Sequence, residues 1–295
     1  MKYEAILRYM ESEVWAMHPD KMHEVVAVIE ASSNGTLQLN REVWAELERR
    51  RTSHLGQRGR VHVMGLHGTI SKRVGLLTGS GGTSTEEFGR EFDAAIASDE
   101  VATIVVDIDS PGGSVTGVPE LTDKIYAARG TKRMVGMVNA SAYSAGYWLG
   151  SAFDEMVITP SGGVGSIGVY TAHIDQSAAN EMIGLKVEYI HAGEYKVEGN
   201  PNEPLTDDAR SEIQRHVNDV YAEFVDAVAR NREVTSKTVL ETYGKGRTVR
   251  AKEALRRGMV DRIATFEDVI REESQRIQRG QQSSLRNRMR RISAG

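Results

Sequence analysis

Residues 101–109, VATIVVDID, run almost without a polar break, and most of their side chains are β-branched. Such a run is stable only where both faces are covered, which marks a strand inside a parallel sheet. The flanking segments fit that demand. Amphipathic helices are predicted over EEFGREFDAAIASDE and GVPELTDKIYAARG, the second closed by Gly130. RMVGMVN, EMVIT and LKVEYIHAG read as further strands, and GSIGVYTAHI as a turn leading into one. AGYWLGSAF reads as a buried helix and QSAANEMIG as a short one. LTDDARSEIQRHVNDVYAEFVDAVARNR is a long helix capped by Thr206, with acidic residues in its first turn. TVRAKEALRRGMVDRI reads as a helix stopped at Gly258 and followed by a short strand. Alternation of this kind predicts an α/β fold with a mainly parallel sheet and helical crossovers.

Three regions are expected. Residues 1–55 mix helical patches such as REVWAELERRR with polar stretches such as ASSNGTLQLN and form an N-terminal accessory segment. Residues 56–265 form the main domain, entered through the joint HLGQRGR and the strand VHVMGLHGTI, with GLLTGSGGTST as a mobile loop. Residues 266–295 form a polar, basic tail, of which RIQRGQQSSLRNRMRRISAG is read as frayed and solvated. A chain of 295 residues, 40% hydrophobic, can bury a substantial core. A net charge of −4 gives no general affinity for polyanions, and contact with nucleic acid is not expected outside the basic tail.

The absence of cysteine excludes disulfides, thiolate metal sites and a cysteine nucleophile. No metal-ligand spacing is present either. Met134–Phe153 is the only uncharged run long enough to cross a bilayer, but it holds Asn139, Ser141, Ser144, Ser151 and three glycines. Those groups are costly in lipid, so the run reads as buried core and the chain as soluble. The first twenty residues lack the apolar core of a signal peptide, and no membrane anchor is expected.

Sites in parallel sheets form where strands end. DIDSPGGSV, at the end of the first buried strand, offers unshielded amides at Gly112 and Gly113 that suit an oxyanion, or an ordinary strand-to-helix turn. Ser144 follows the strand RMVGMVN and opens a buried helix. It is either a nucleophile, with the Ala145 amide as a second oxyanion donor, or a helix N-cap. A serine nucleophile needs a base. His173 and His191 lie near strand ends and read as partly buried, hydrogen-bonded residues. Lys196, in HAGEYKVEGNP, is the alternative. A lysine acting as base must be neutral, which from an ordinary pKa of about 10.4 costs about 4.6 kcal/mol near pH 7. Burial among apolar groups supplies a shift of that order, so a burial site is expected for it.

DSPGG, YSAGYWLGSA, GGVGSIGV, AGEYKVEGNP and AKEALRRGMVDRI, in this order over about residues 60–265, resemble the signal peptide peptidase A family of serine proteases. The resemblance implies a Clp-protease/crotonase-like fold of repeated β-β-α units. It implies Ser144 as nucleophile, Lys196 (52 residues downstream) as general base, and Gly113 and Ala145 as oxyanion donors. Ser166 falls where the family places a hydroxyl that orients the lysine. No cofactor and no metal are implied. Within the family the chain looks nearest to the head-maturation proteases of tailed bacteriophages. That implies capsid, scaffold or portal proteins as substrates, the chain itself included, and action in the prohead within the bacterial cytoplasm. The family expectation is a homo-oligomer and a preference for small or apolar residues before the cut. The alternatives are a cellular peptidase for signal peptides and membrane-protein fragments, a crotonase-like acyl-CoA enzyme, and a non-catalytic assembly protein. The chain departs from the family's frequent Ser-Gly-Gly at Ser144-Ala145-Gly146, which matters if Ala145 needs a positive φ.

Overall fold

The structure, a computed structural model, describes residues 13–18, 52–73 and 82–293. The helical patch expected at REVWAELERRR and most of the glycine-rich loop GLLTGSGGTST fall outside the described residues.

In chain order the first elements are β1 (Trp15–Met17), β2 (Gly56–Arg58), β3 (Val61–His67), β4 (Ile70–Ser71), β5 (Thr83–Ser84) and α1 (Thr85–Ala97). They are followed by β6 (Thr103–Ser110), β7 (Gly112–Ser114), α2 (Val118–Ala127), β8 (Arg133–Tyr143), α3 (Ala145–Gly150), β9 (Glu155–Ile158), β10 (Gly163–Gly165) and α4 (Ser177–Met182). The last are α5 (Asp207–Asn231), α6 (Ser236–Thr242), β11 (Thr248–Arg250), α7 (Ala251–Arg256), β12 (Arg262–Ile263) and α8 (Phe266–Ser293).

β3, β6 and β8 form the parallel centre of the larger sheet, with Val61 opposite Thr103 and Thr103 opposite Arg133. β8 then forks, its first half pairing with β9 and its second half with β10. A smaller sheet runs β1-β7-β4-β5. Two of the three central strands, β3 and β6, therefore pass from the large sheet into the small one before their helices, as β3-β4-β5-α1 and β6-β7-α2, while β8 runs directly into α3. This is the β-β-α, mainly parallel architecture that the resemblance implies.

The two-faced burial predicted from VATIVVDID is what the sheet requires. On one face Met64, Leu66, Ile104, Val106, Ile108, Met134 and Val138 meet α1, α2, α3 and α5. On the other, Val61, Val63, Val105, Val135, Met137 and Val157 meet Phe266 and Val269 of α8. Each fully buried aliphatic or aromatic side chain contributes roughly 1.5–3 kcal/mol relative to exposure. Met134–Phe153 is β8, α3 and the turn beyond, and its central helix is wholly buried. Among the described residues no helix is long and apolar enough to cross a membrane.

Helix starts follow local chemistry. Ser84, Thr206 and Thr235 each accept a bond from the amide three residues on, and the first two precede acidic pairs. Three expectations fail. LKVEYIHAG forms no strand: residues 185–193 find no partner edge among the described residues and lie exposed, and β-pairing is what stabilises an extended apolar run. GSIGVYTAHI leads into a single bridge at Tyr170 rather than a strand. Residues 276–293, read as frayed and solvated, continue the helix α8, which begins at Phe266, and their side chains beyond Ile277 are mostly exposed. Its first turns carry Phe266, Val269, Ile270, Glu273 and Ile277 along one stripe, and that stripe buries against the sheet.

Candidate active site

Ser144 sits between β8 and α3 with φ 55° and ψ −118°, a region that L side chains rarely occupy. Conformations of this kind cost on the order of 1–3 kcal/mol and persist only where surroundings fix them. Here the Ser144 N–H donates to the Gly165 carbonyl at 2.8 Å, and its own carbonyl accepts from Tyr147 and Trp148 at 2.9 Å. The helix behind it cannot shift: Tyr147 donates to the Met259 carbonyl and Trp148 stacks on Phe224. Although Ser144 stands at the N-cap, its side chain makes no capping bond. Among the described residues its hydroxyl donates only to the Gly168 carbonyl, at 3.3 Å. The strained residue is Ser144 and not Ala145, which has ordinary helical geometry, so the departure from Ser-Gly-Gly costs nothing.

β7 faces this serine with two glycines, each where a side chain cannot fit. A Cβ on Gly113 would lie 1.9 Å from the Ile70 carbonyl oxygen. A Cβ on Gly112, whose φ is +98°, would lie 2.0 Å from the Ala16 carbonyl oxygen and 2.9 Å from the Ser144 Cβ. The chain's own β1 is laid antiparallel on β7, Ala16 opposite Gly113 and Met17 opposite Gly112. On its other side β1 meets Tyr170, through Trp15 N–H to the Tyr170 carbonyl at 2.8 Å and Tyr170 N–H to the Trp15 carbonyl at 3.0 Å. Trp15, Ala16 and Met17 are buried, and Ser144 has no exposed surface.

The fold thus gathers Ser144, Ala145, Gly113 and Ser166. Ser166 follows Gly165, the residue that holds the Ser144 amide; it is buried, and its own N–H donates to the Arg247 carbonyl at 2.9 Å. Lys196 is not gathered with them. It lies exposed in the turn after residue 193, and its side chain makes no hydrogen bond or ion pair among the described residues. The burial expected for it is therefore absent within one chain. The reason is the missing strand: residues 182–197 form an arm on which Ile183, Tyr195 and a fully exposed Ile190 face solvent. His173 and His191 make no bond to Ser144; His191 is exposed and bonds Gly193, and the buried Nε2 of His173 has no partner among the described residues. Ser141 and Ser151 are occupied structurally, bonding Asp109 and the Trp148 carbonyl.

One cluster went unseen in the sequence because its members are far apart. His54 and His67 both direct Nε2 at the same Asp107 oxygen, at 2.8 and 2.6 Å. These donors have the chemistry of a divalent-cation site, and the atoms lie within 4.8 Å of one another. Burial by itself would raise the Asp107 carboxyl. The hydrogen bonds from His67 and His54, the His67 charge and Asn139 outweigh it and hold the carboxyl below its ordinary range.

The model of peptidase family S49 matches residues 127–279, a span that includes Ser144, Ala145, Ser166 and Lys196 and leaves Gly113 upstream. The chain is 30% identical over 211 residues to capsid assembly protease C of Escherichia phage lambda, covering 71% of this chain and 48% of that protein. It is 28% identical over 211 residues to head-tail preconnector protein GP5 of Enterobacteria phage P21, covering 71% and 42%. It is 22% identical over 240 residues to protease 4 of Haemophilus influenzae, covering 80% and 38%. The chain spans about half the length, or less, of these relatives. A family model matched over more than half of the chain, on a site whose serine is strained, buried and uncapped, makes this chain a member of peptidase family S49.

Proposed function

We propose that the chain is a serine endopeptidase that uses Ser144 and Lys196 to cut capsid, scaffold or portal proteins during bacteriophage head maturation, inside the assembling prohead. The observation that carries this reading is Ser144 itself. It is held in a strained conformation at a buried helix start, is not spent on capping, and faces a glycine strand that already binds a peptide. The phage relatives, named for capsid assembly and the head-tail preconnector, support the substrate class.

In this reading Ser144 attacks the peptide carbonyl while Lys196 takes its proton. The Gly113 and Ala145 amides hold the oxyanion, and Ser166 orients the lysine amine. Lys196 then protonates the leaving amine and later activates the water that releases the acyl group. Because Lys196 is exposed on an apolar arm, we assign it to the serine of a neighbouring copy, with the arm supplying the burial that keeps the amine neutral. The enzyme is then a homo-oligomer.

Complementation tests both parts. Ser144→Ala and Lys196→Ala are each expected to abolish cleavage of co-expressed capsid proteins with the fold intact. Mixing the two dead variants should restore part of the activity if the lysine acts across copies. Full activity in either single variant rejects the dyad, and two dead variants that stay dead when mixed reject the shared site.

A further inference from the structure

We infer that the bond between Ala16 and Met17 is a self-cleavage site, held as a substrate strand in the chain's own cleft; this rests on the peptidase reading above.

The register of β1 supplies the argument. His18 N–H donates to the Pro111 carbonyl at 2.9 Å, and Val115 N–H to the Val14 carbonyl at 3.0 Å. In an antiparallel ladder hydrogen-bonded pairs recur at every second residue, so Ala16 and Gly113, lying between those two, are the bonded pair. The Ala16 carbonyl is thereby directed to the Gly113 amide, the donor assigned to the oxyanion. Both that carbonyl and the Ser144 Cβ crowd the same absent methyl of Gly112. The carbonyls before that of Ala16 are engaged elsewhere: Trp15 bonds outward to Tyr170, and Val14, just before β1, bonds Val115.

The rest of the segment is held as a bound peptide would be. The Glu13 carboxylate accepts from Ser114 Oγ at 2.6 Å and Thr116 Oγ1 at 2.9 Å, while Thr171 Oγ1 donates to the Glu13 carbonyl at 3.1 Å. Main-chain bonds on both edges give affinity without regard to sequence. The residue before the bond is alanine, whose methyl is fully buried within the main core.

The chemistry balances with one water. Ser144 Oγ bonds to the Ala16 carbonyl carbon as the carbon–nitrogen bond to Met17 breaks, and the hydroxyl proton passes through the lysine to the new Met17 amine. Water then hydrolyses the ester, leaving the Ala16 carboxylate and returning a proton to Ser144. Within one chain the lysine is absent from the serine, so the strand waits intact. The arm of a second copy starts the cut, which makes assembly the trigger.

The test is intact-mass analysis and N-terminal sequencing of the full chain, incubated at high concentration, for wild type, Ser144→Ala and Ala16→Phe. Wild type should yield a chain beginning at Met17. Ser144→Ala should keep its first sixteen residues, and Ala16→Phe should be cut at least about tenfold more slowly. A wild-type chain that keeps residues 1–16, a new N-terminus elsewhere, or the same cut in Ser144→Ala overturns the inference. A fluorophosphonate probe and an unfolded protein substrate are run in parallel. If Ser144 labels and the added substrate is cut while Ala16–Met17 survives, self-cleavage fails and the peptidase reading stands. If neither occurs, both fail.

Discussion

Trp148 lies flat on Phe224, ring centroids 4.4 Å apart and planes within 6° of parallel, so the helix behind Ser144 is fixed to α5 by one stacked pair. Both rings are fully buried. Phe224→Ala is expected to cost about 3–5 kcal/mol of stability, and Phe224→Leu much less. Urea unfolding of both variants measures this. Activity should fall with the folded fraction in each, because Phe224 touches the helix and not the reacting atoms.

The strain at Ser144 has a measurable counterpart. Glycine adopts φ 55°, ψ −118° without the penalty that a Cβ incurs. Ser144→Gly should therefore be more stable than Ser144→Ala by about 1–2 kcal/mol, while the proposed dyad predicts that both are inactive. Equal thermal midpoints for the two variants would remove strain from the account.

Acid should act through Asp107. Its carboxyl is held below its ordinary value of 3.8: burial pushes it up, but the bonds from His67 and His54 outweigh burial. The folded state thus binds that proton less readily than the unfolded chain. The resulting stabilisation is complete above about pH 5 and is lost as pH falls further, through the lowered folded value. Asp107→Asn should flatten this limb of the stability profile between pH 5 and pH 2, measured by thermal melts. An unchanged limb would place acid sensitivity elsewhere.

The arm offers a separation of fold from assembly. Ile183 and Ile190 are exposed and touch no core. Ile183→Asp with Ile190→Asp should change the stability of the single chain by no more than about 0.5 kcal/mol. The same pair should lower the oligomeric mass in sedimentation and abolish peptide cleavage. A variant that stays assembled and active would show that the arm is not the joint.

What the sequence made legible was whatever depends on neighbours along the chain. VATIVVDID announced a strand covered on both faces, and helix caps such as Thr206 sat where their amides needed them. Ser144 could be singled out because a strand end, small residues and a buried helix follow one another directly. The hidden features need distant partners. The triplet Trp15–Met17 has no meaning until the edge of β7, almost a hundred residues away, is brought beside it. His67 meets Asp107 because β3 and β6 pair in one register, and His54 reaches the same carboxylate from the turn before β2. LKVEYIHAG has the composition of a strand but lacks an edge to join, and Lys196 shares its exposure for that reason.

A peptide lying where β1 lies is gripped along both backbone edges, by β7 and by Tyr170. Only a segment free to straighten over several residues can enter; a helix, or a strand already paired at home, has no edges to give. The cleft therefore discriminates by whether a target has folded as much as by which residues it contains. On the peptidase reading proposed above, a protein that matures quickly would escape this cleft and one still waiting for its partners would be cut, so the order of cutting would become a record of the order of folding.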